Sequence, residues 1–173
     1  MNQKMDAEIM KAARQAIRTG DLELLKKLFT MYNDLFDAIS PFGTWLHVAV
    51  EFNKMDIVKY LIDCGMDVNR NAGISGGNSL HNAACYGNLE IVKLLYKNGA
   101  KFDVSEATKN PLFGAIYNGH LEIAKFLVEN GIDITASYSI GTLENVDAYE
   151  YARQFGQLEI AEYLKEKLEE RQG

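Results

Sequence analysis

The 173-residue sequence has little cysteine, little proline and no long apolar run. Cys64 and Cys85 are too few for a disulfide framework, which favours a reducing compartment and predicts a cytoplasmic location. No stretch reaches the roughly 18 apolar residues that can span a bilayer, and the first 20 residues lack the apolar core of a secretory signal. With only 2 prolines and 47% hydrophobic residues, the composition indicates a folded chain rather than a disordered one.

Basic residues are also in the minority, with 18 against 24 acidic residues and a net charge of −6. This balance disfavours nonspecific binding to nucleic acid, which depends on basic patches that displace counterions. From Leu143 to the end of the chain, eight acidic residues outnumber four basic ones. If charge steers a partner, this end would attract a basic one. The alternative is a solvated polar end with no partner.

One pattern recurs five times along the chain and defines units of 32–37 residues. Each copy has a turn residue, an alanine four residues before it and an apolar residue two residues after it, followed by an acid. The turn residues are Gly20, Asn53, Gly87, Gly119 and Gly156, and the alanines are Ala16, Ala49, Ala83, Ala115 and Ala152. The corresponding units are residues 5–37, 38–70, 71–104, 105–136 and 137–173 of a single domain.

The columns of this pattern predict two helices per unit. Alanine allows neighbouring helices to approach closely, and glycine or asparagine adopts the left-handed conformation of a tight turn. Thr44, Asn78, Asn110 and Asp147 each lie nine residues before a turn and are residue types that cap a helix N-terminus. Gly65, Gly99 and Gly131 are positioned to end the second helices.

The segments "TWLHVAV", "NSLHNAACYGNLEIVKLL", "NPLFGAIYNGHLEIAKFL" and "DAYEYARQFGQLEIAEYL" resemble the ankyrin repeat. The resemblance covers nearly the whole chain and implies an all-α solenoid of about five helix-turn-helix units with short extended turns or β-hairpin fingers. It also implies that the first and last units are charged caps. The connection between Gly131 and Asp147 is longer than its counterparts, and a protruding loop is expected there.

The reactive residue types do not form a convincing catalytic or metal site. His81 and Cys85 are one helical turn apart, but a zinc site needs three or four protein ligands. The glycine-rich stretch Gly73–Ser79 offers backbone N–H groups for a phosphate, yet the lysine and preceding strand of a P-loop are missing. Glu144, Asp147 and Glu150 are better explained as solvated acids near a helix start than as a general acid and base. We therefore expect no enzyme activity, no metal and no cofactor.

The residue pairs just before four of the turns are expected to line the concave face of the solenoid. They are Glu51 and Phe52, Cys85 and Tyr86, Tyr117 and Asn118, and Gln154 and Phe155. Each pair contains an aromatic residue, so a ladder about 30 Å long is predicted from helix spacings of roughly 8–10 Å. Exposed aromatics are frequent anchors of protein interfaces, although these rings could instead stack on one another and close the groove. The loop tips add Ile74, Ser75, Lys109, Leu143 and Glu144.

These observations predict a non-catalytic module, monomeric when free, that binds a protein through its concave face and loop tips. A small acidic repeat array of this kind resembles the ankyrin proteins that serve bacteria as immunity proteins against toxins. A general adaptor and a secreted effector are alternatives. A small-molecule or phosphate site at Gly73–Ser79 is a further alternative from a different class. Nucleic acid and membranes are not expected as partners.

Overall fold

A computed structural model describes residues 7–171, in which ten α-helices follow one another in pairs. The predicted units extend beyond this range by residues 5–6 and 172–173, which lie outside the described residues. The helices are α1 (Ala7–Thr19), α2 (Leu22–Met31), α3 (Trp45–Glu51), α4 (Met55–Asp63), α5 (Ser79–Cys85), α6 (Leu89–Lys97), α7 (Pro111–Tyr117), α8 (Leu121–Glu129), α9 (Ala148–Gln154) and α10 (Leu158–Glu170). A 3₁₀ turn covers Asn33–Leu35. No helix within residues 7–171 is long and apolar enough to cross a membrane.

The first helices of the five pairs form one continuous layer. Each of α1, α3, α5, α7 and α9 packs against the next in that order, and each also packs against the second helix of its own pair. The recurrent alanines lie within this layer and are at most 1% exposed. Because their side chains end at Cβ, neighbouring helices can approach at close-packed distance. The predicted all-α solenoid is therefore confirmed.

The turn within each pair has the conformation that the sequence predicts. Gly87 between α5 and α6 has φ 78°, and Asn53 has φ 52° at the corresponding position between α3 and α4. Side chains with a Cβ are disfavoured in this left-handed region, and asparagine is among the residues that tolerate it best. The second helix of each pair can then fold back antiparallel to the first.

Three of the four predicted helix caps are observed. The side chains of Asn78, Asn110 and Asp147 accept hydrogen bonds from backbone N–H groups in the first turns of α5, α7 and α9. The prediction for Thr44 is wrong in this respect. Thr44 occupies the cap position of α3, but its hydroxyl bonds the His47 ring at 2.8 Å instead of a backbone N–H.

The long connection before α9 forms a β-hairpin rather than an irregular loop. Strands β1 (Tyr138–Ile140) and β2 (Leu143–Val146) pair antiparallel with a register irregularity. The Tyr138 hydroxyl joins the hairpin to the two preceding units, because it donates to the Val104 carbonyl at 2.7 Å and accepts from Asn110 Nδ2 at 3.0 Å. In residues 7–171 no other connection forms a strand, and the one between α2 and α3 contains the 3₁₀ turn and an isolated bridge between Ser40 and Gly43.

His47 connects its own unit to the next one. Its Nε2 lies 3.1 Å from the Gly77 carbonyl, which can only accept, so Nε2 carries the proton and Nδ1 accepts from the Thr44 hydroxyl. The ring is fully buried, and burial lowers its pKa, an effect that the hydrogen bond to Gly77 partly offsets. The neutral imidazole is thus the form that the folded solenoid requires.

We predict that the protein loses stability as the pH falls below about 6.5, the ordinary pKa of histidine. In that range the unfolded chain binds more protons than the folded one, so the free energy of unfolding decreases. The variant His47→Gln keeps an amide donor for Gly77 but cannot titrate. Urea unfolding at pH 7.5 and 5.5 should show a smaller loss for this variant than for the parent, and equal losses would contradict the assignment.

Candidate protein-interaction face

The predicted aromatic positions lie at the C-terminal ends of the first helices, on one side of the solenoid. Tyr86, Tyr117 and Phe155 are 51%, 56% and 43% exposed, respectively, while Phe52 is half-buried. Contiguous exposed apolar side chains often mark an interaction site. Here three of them in consecutive units form an apolar strip. We call the surface that carries Phe52, Tyr86, Tyr117 and Phe155 the concave face.

At the C-terminal end of the concave face the rings are in contact. Tyr117 and Phe155 meet edge to face with centroids 5.0 Å apart, and Phe155 also contacts Tyr151 at 4.5 Å. Tyr151 in turn stacks on Phe113, which meets Tyr138 of the hairpin at 5.0 Å. Five aromatic rings therefore connect the exposed strip to the β-hairpin, and these contacts hold Phe155 and Tyr117 in place.

At the N-terminal end the half-buried ring of Phe52 packs against a cation instead of another ring. The Arg14 guanidinium lies 4.0 Å from the centroid of Phe42 and 5.1 Å from that of Phe52, and its Nη2 is 3.2 Å from Glu51 Oε1. The ladder is thus not a continuous stack. A pair of rings lies at one end, a cation held between two rings lies at the other, and Tyr86 stands between them.

A cleft of about 440 Å³ opens beside Tyr86. It brings together six of the predicted residues, which come from three consecutive units and the tip of one connection: Glu51, Ile74, Ser75, Cys85, Tyr86 and Asn118. Ile74 is 89% exposed at the rim of the cleft. Burial raises the pKa of the Tyr86 phenol, and the negative charge of Glu51 raises it further. The carboxylate therefore acts electrostatically on the phenol.

The floor of the cleft is formed by His81 and Cys85, the pair with which the sequence raised the question of reactivity. Cys85 Sγ lies 3.4 Å from His81 Nε2, but burial raises the pKa of the thiol to about 11 and lowers that of the imidazole. A thiol with this pKa is protonated at neutral pH and is a poor nucleophile and metal ligand. Among residues 7–171 no group of three or more histidine, cysteine, aspartate or glutamate side chains could hold a metal.

The glycine-rich connection at Gly73–Ser79 uses its own polar groups. The N–H of Ala72 donates to the Gly77 carbonyl, that of Gly76 to the Gly73 carbonyl, and that of Gly77 to the Ser75 hydroxyl. The following helix α5 is capped by Asn78. These bonds occupy the N–H groups of Gly76 and Gly77 within the stretch, so the geometry favours a closed loop that carries Ile74 at its tip.

The remaining predicted residues lie apart from the cleft. Lys109 is paired with Glu106 at 2.6 Å, Glu144 is exposed on β2, and Gln154 is exposed at the end of α9. Two members of the acidic group have structural contacts, because Asp147 caps α9 and Glu150 pairs with Arg153 at 3.1 Å. The structure does not bring these carboxylates together as a general acid and base.

Two further residues shape this face, and neither was predicted from the sequence. Phe42 lines the cleft although it lies outside the repeated columns, so periodicity gave no signal for it. Arg14 lies six residues before its turn, the position that His47 and His81 occupy in the next two units. A charged residue in a column of buried histidines was therefore a signal for an inter-unit contact.

The five stacked helix pairs define a class of protein, a helical-repeat solenoid. The family model for ankyrin repeats (3 copies) matches residues 9–106 and 46–138. The chain therefore belongs to the ankyrin-repeat family.

Similar curated proteins include the E3 ubiquitin-protein ligase hecd-1 of Caenorhabditis elegans, 31% identical over 60% of this chain and 4% of that protein. The E3 ubiquitin-protein ligase Ufd4 of Drosophila melanogaster is 37% identical over 56% of this chain and 4% of its own length. Human ankyrin repeat and SOCS box protein 11 is 28% identical over 56% of this chain and 29% of its own length. The chain thus spans under a third of each of these relatives.

We predict that position 114 on α7 tolerates only glycine as long as the Cys85 side chain occupies the cleft floor. A Cβ at position 114 would lie 2.5 Å from Cys85 Sγ, so Gly114→Ala should destabilise the parent by about 1–3 kcal/mol. In a Cys85→Ala background the clash is absent, and the same change should stabilise the helix by up to about 1 kcal/mol. Urea unfolding of the four proteins tests this, and the same sign in both backgrounds would contradict the packing described.

Proposed function

We propose that this protein is a non-catalytic binding module that holds a protein partner on its concave face. Ankyrin repeats generally mediate protein–protein interaction, and the chain belongs to that family. The observation that carries the proposal is the strip of Tyr86, Tyr117 and Phe155, each exposed by more than two fifths in consecutive units. Large aromatics at the centre of a surface provide much of the binding energy of protein interfaces. The exposed tip residues Ile74 and Glu144 extend the surface on which a partner could be selected.

A rigid scaffold supports this proposal. The rings at the C-terminal end are held by neighbouring rings, and each helix pair is held to the next by buried contacts. A surface that is already ordered loses little conformational entropy when a partner binds. The module would act as a monomer in the cytoplasm.

A more specific form of the proposal is an immunity protein that covers the active face of a cognate bacterial toxin in a stoichiometric complex. Its support is the acidic composition, because the net charge of −6 would complement a basic toxin. Co-expression with the product of an adjacent gene tests this form, because an immunity protein should restore growth that the toxin arrests. A general adaptor or an exported effector would bind its partner without such rescue.

The concave face is tested by replacing Tyr86 and Tyr117 with alanine together. A photocrosslinking amino acid at position 117 should first capture the partner, and one at position 31 on α2 should not. Binding of the purified partner to the double variant, measured by calorimetry, should be weaker by about 2 kcal/mol or more, because both rings are proposed anchors. The thermal unfolding midpoint should remain close to that of the parent.

Met31→Ala is the matched control, because Met31 is an exposed apolar residue on a second helix, 59% accessible. Its affinity for the partner should equal that of the parent. A double variant that is folded and binds as tightly as the parent would show that the partner occupies another surface.

A further inference from the structure

The cleft beside Tyr86 has apolar walls and one charged group. Phe42, Ile74 and Tyr86 provide the walls, and each is among the large apolar side chains that remain exposed. Glu51 is the charged residue of the lining, and its field reaches Tyr86, because it contributes to the raised pKa of the phenol. A long side chain that is apolar along its stem and positively charged at its end would complement both features.

The chain itself contains an example of such an arrangement. The guanidinium of Arg14 is held by the ring of Phe42 and by the carboxylate of Glu51, and both of these residues also line the cleft. Arg14 is not part of the cleft lining. An aromatic ring can receive a cation on either face, and a carboxylate has lone pairs for more than one donor. Arg14 Nη2 lies 3.2 and 3.5 Å from the two oxygens of Glu51, and each oxygen keeps a lone pair for a second donor.

Polar groups that could orient the second cation lie at the opposite side of the cleft. Asn118 donates through Nδ2 to the Gly114 carbonyl, and Asn82 accepts from the Ser75 hydroxyl. These bonds fix both side-chain amides in position. The side-chain oxygen Oδ1 of Asn118 accepts no hydrogen bond within the described part of the chain, so it is available as an acceptor.

We propose that the cleft receives one arginine or lysine side chain of the protein partner. Its methylene stem packs between Ile74 and Tyr86, and its cationic end meets the carboxylate of Glu51 beside the ring of Phe42. Arginine fits better than lysine, because its planar guanidinium stacks on a ring while it donates to a carboxylate. This inference rests on the proposed binding function of the concave face and names the group that the face selects.

The test uses an unbiased library of displayed dodecapeptides, because it does not require the natural partner. The library is selected on the parent protein, and the enriched peptides are measured individually against Glu51→Gln and Tyr86→Ala. We expect a shared arginine or lysine next to an apolar residue, and about tenfold weaker binding to each variant. Glu162→Gln on α10 removes the same charge outside the concave face and should bind as the parent does.

A double-mutant cycle identifies the contact. Replacing the shared cation by norleucine should weaken binding to the parent about tenfold but change binding to Glu51→Gln by less than twofold. Thermal unfolding of Glu51→Gln verifies that the contact with Arg14 survives, because glutamine can still accept its hydrogen bond.

Two failures are distinguishable. One contrary result is that enriched peptides bind Tyr117→Ala more weakly than the parent and yet share no cationic residue. Another is that they bind Glu51→Gln as tightly as the parent. Either result shows that the cation site is wrong while the proposed concave-face function stands. If no enriched peptide is affected by substitutions at Tyr86, Tyr117 or Phe155, the concave face does not bind peptides and both proposals fail.

Discussion

The structure depends on the close approach of five successive helices, which the alanine column makes possible. Each helix hairpin alone exposes an apolar side, and it buries that side only by stacking on its neighbours. With Ala83 or Ala115 at the contact, backbones meet at close-packed distance and the larger side chains fill the space on either side. A bulkier residue at one contact would therefore displace every unit on one side of it. Buried hydrogen bonds between units, such as that from His47 to Gly77, reinforce the same stacking.

The same stacking produces the concave face. Because the first helices are aligned, the residues at their C-terminal ends come into register along one side, although successive aromatics are 31 to 38 residues apart in the sequence. The scaffold requires an alanine four residues before each turn but no particular residue one or two residues before it. Aromatics at those positions are consequently open to a partner, and the rigidity of the layer beneath fixes their spacing. Catalysis has no comparable support here, since the thiol at the cleft floor is held protonated by burial.

Charge has two distinct roles in this molecule. Exposed pairs such as Glu90 with Lys93 lie within single helices and contribute little to stability. Arg14 and Glu51 join different units, and both are less than one third exposed, so their contact fixes the first hairpin against the second while shaping the wall of the cleft. The N-terminal unit in this way supports the wall of the cleft.

The sequence alone was sufficient to predict the helix pairs, the left-handed turns, three of the four caps and the alanine contacts. These features follow from short-range rules about backbone conformation and residue size, and periodic recurrence makes them visible. It also located the exposed aromatics, because each is defined by its distance from a turn. The packing between units fixes which of these aromatics touch. It paired Tyr117 with Phe155, placed Arg14 between Phe42 and Phe52, and opened a cleft beside Tyr86. It also brought the Thr44 hydroxyl into a hydrogen bond with the His47 ring. Such contacts depend on side-chain directions between units, and no spacing along the chain encodes them.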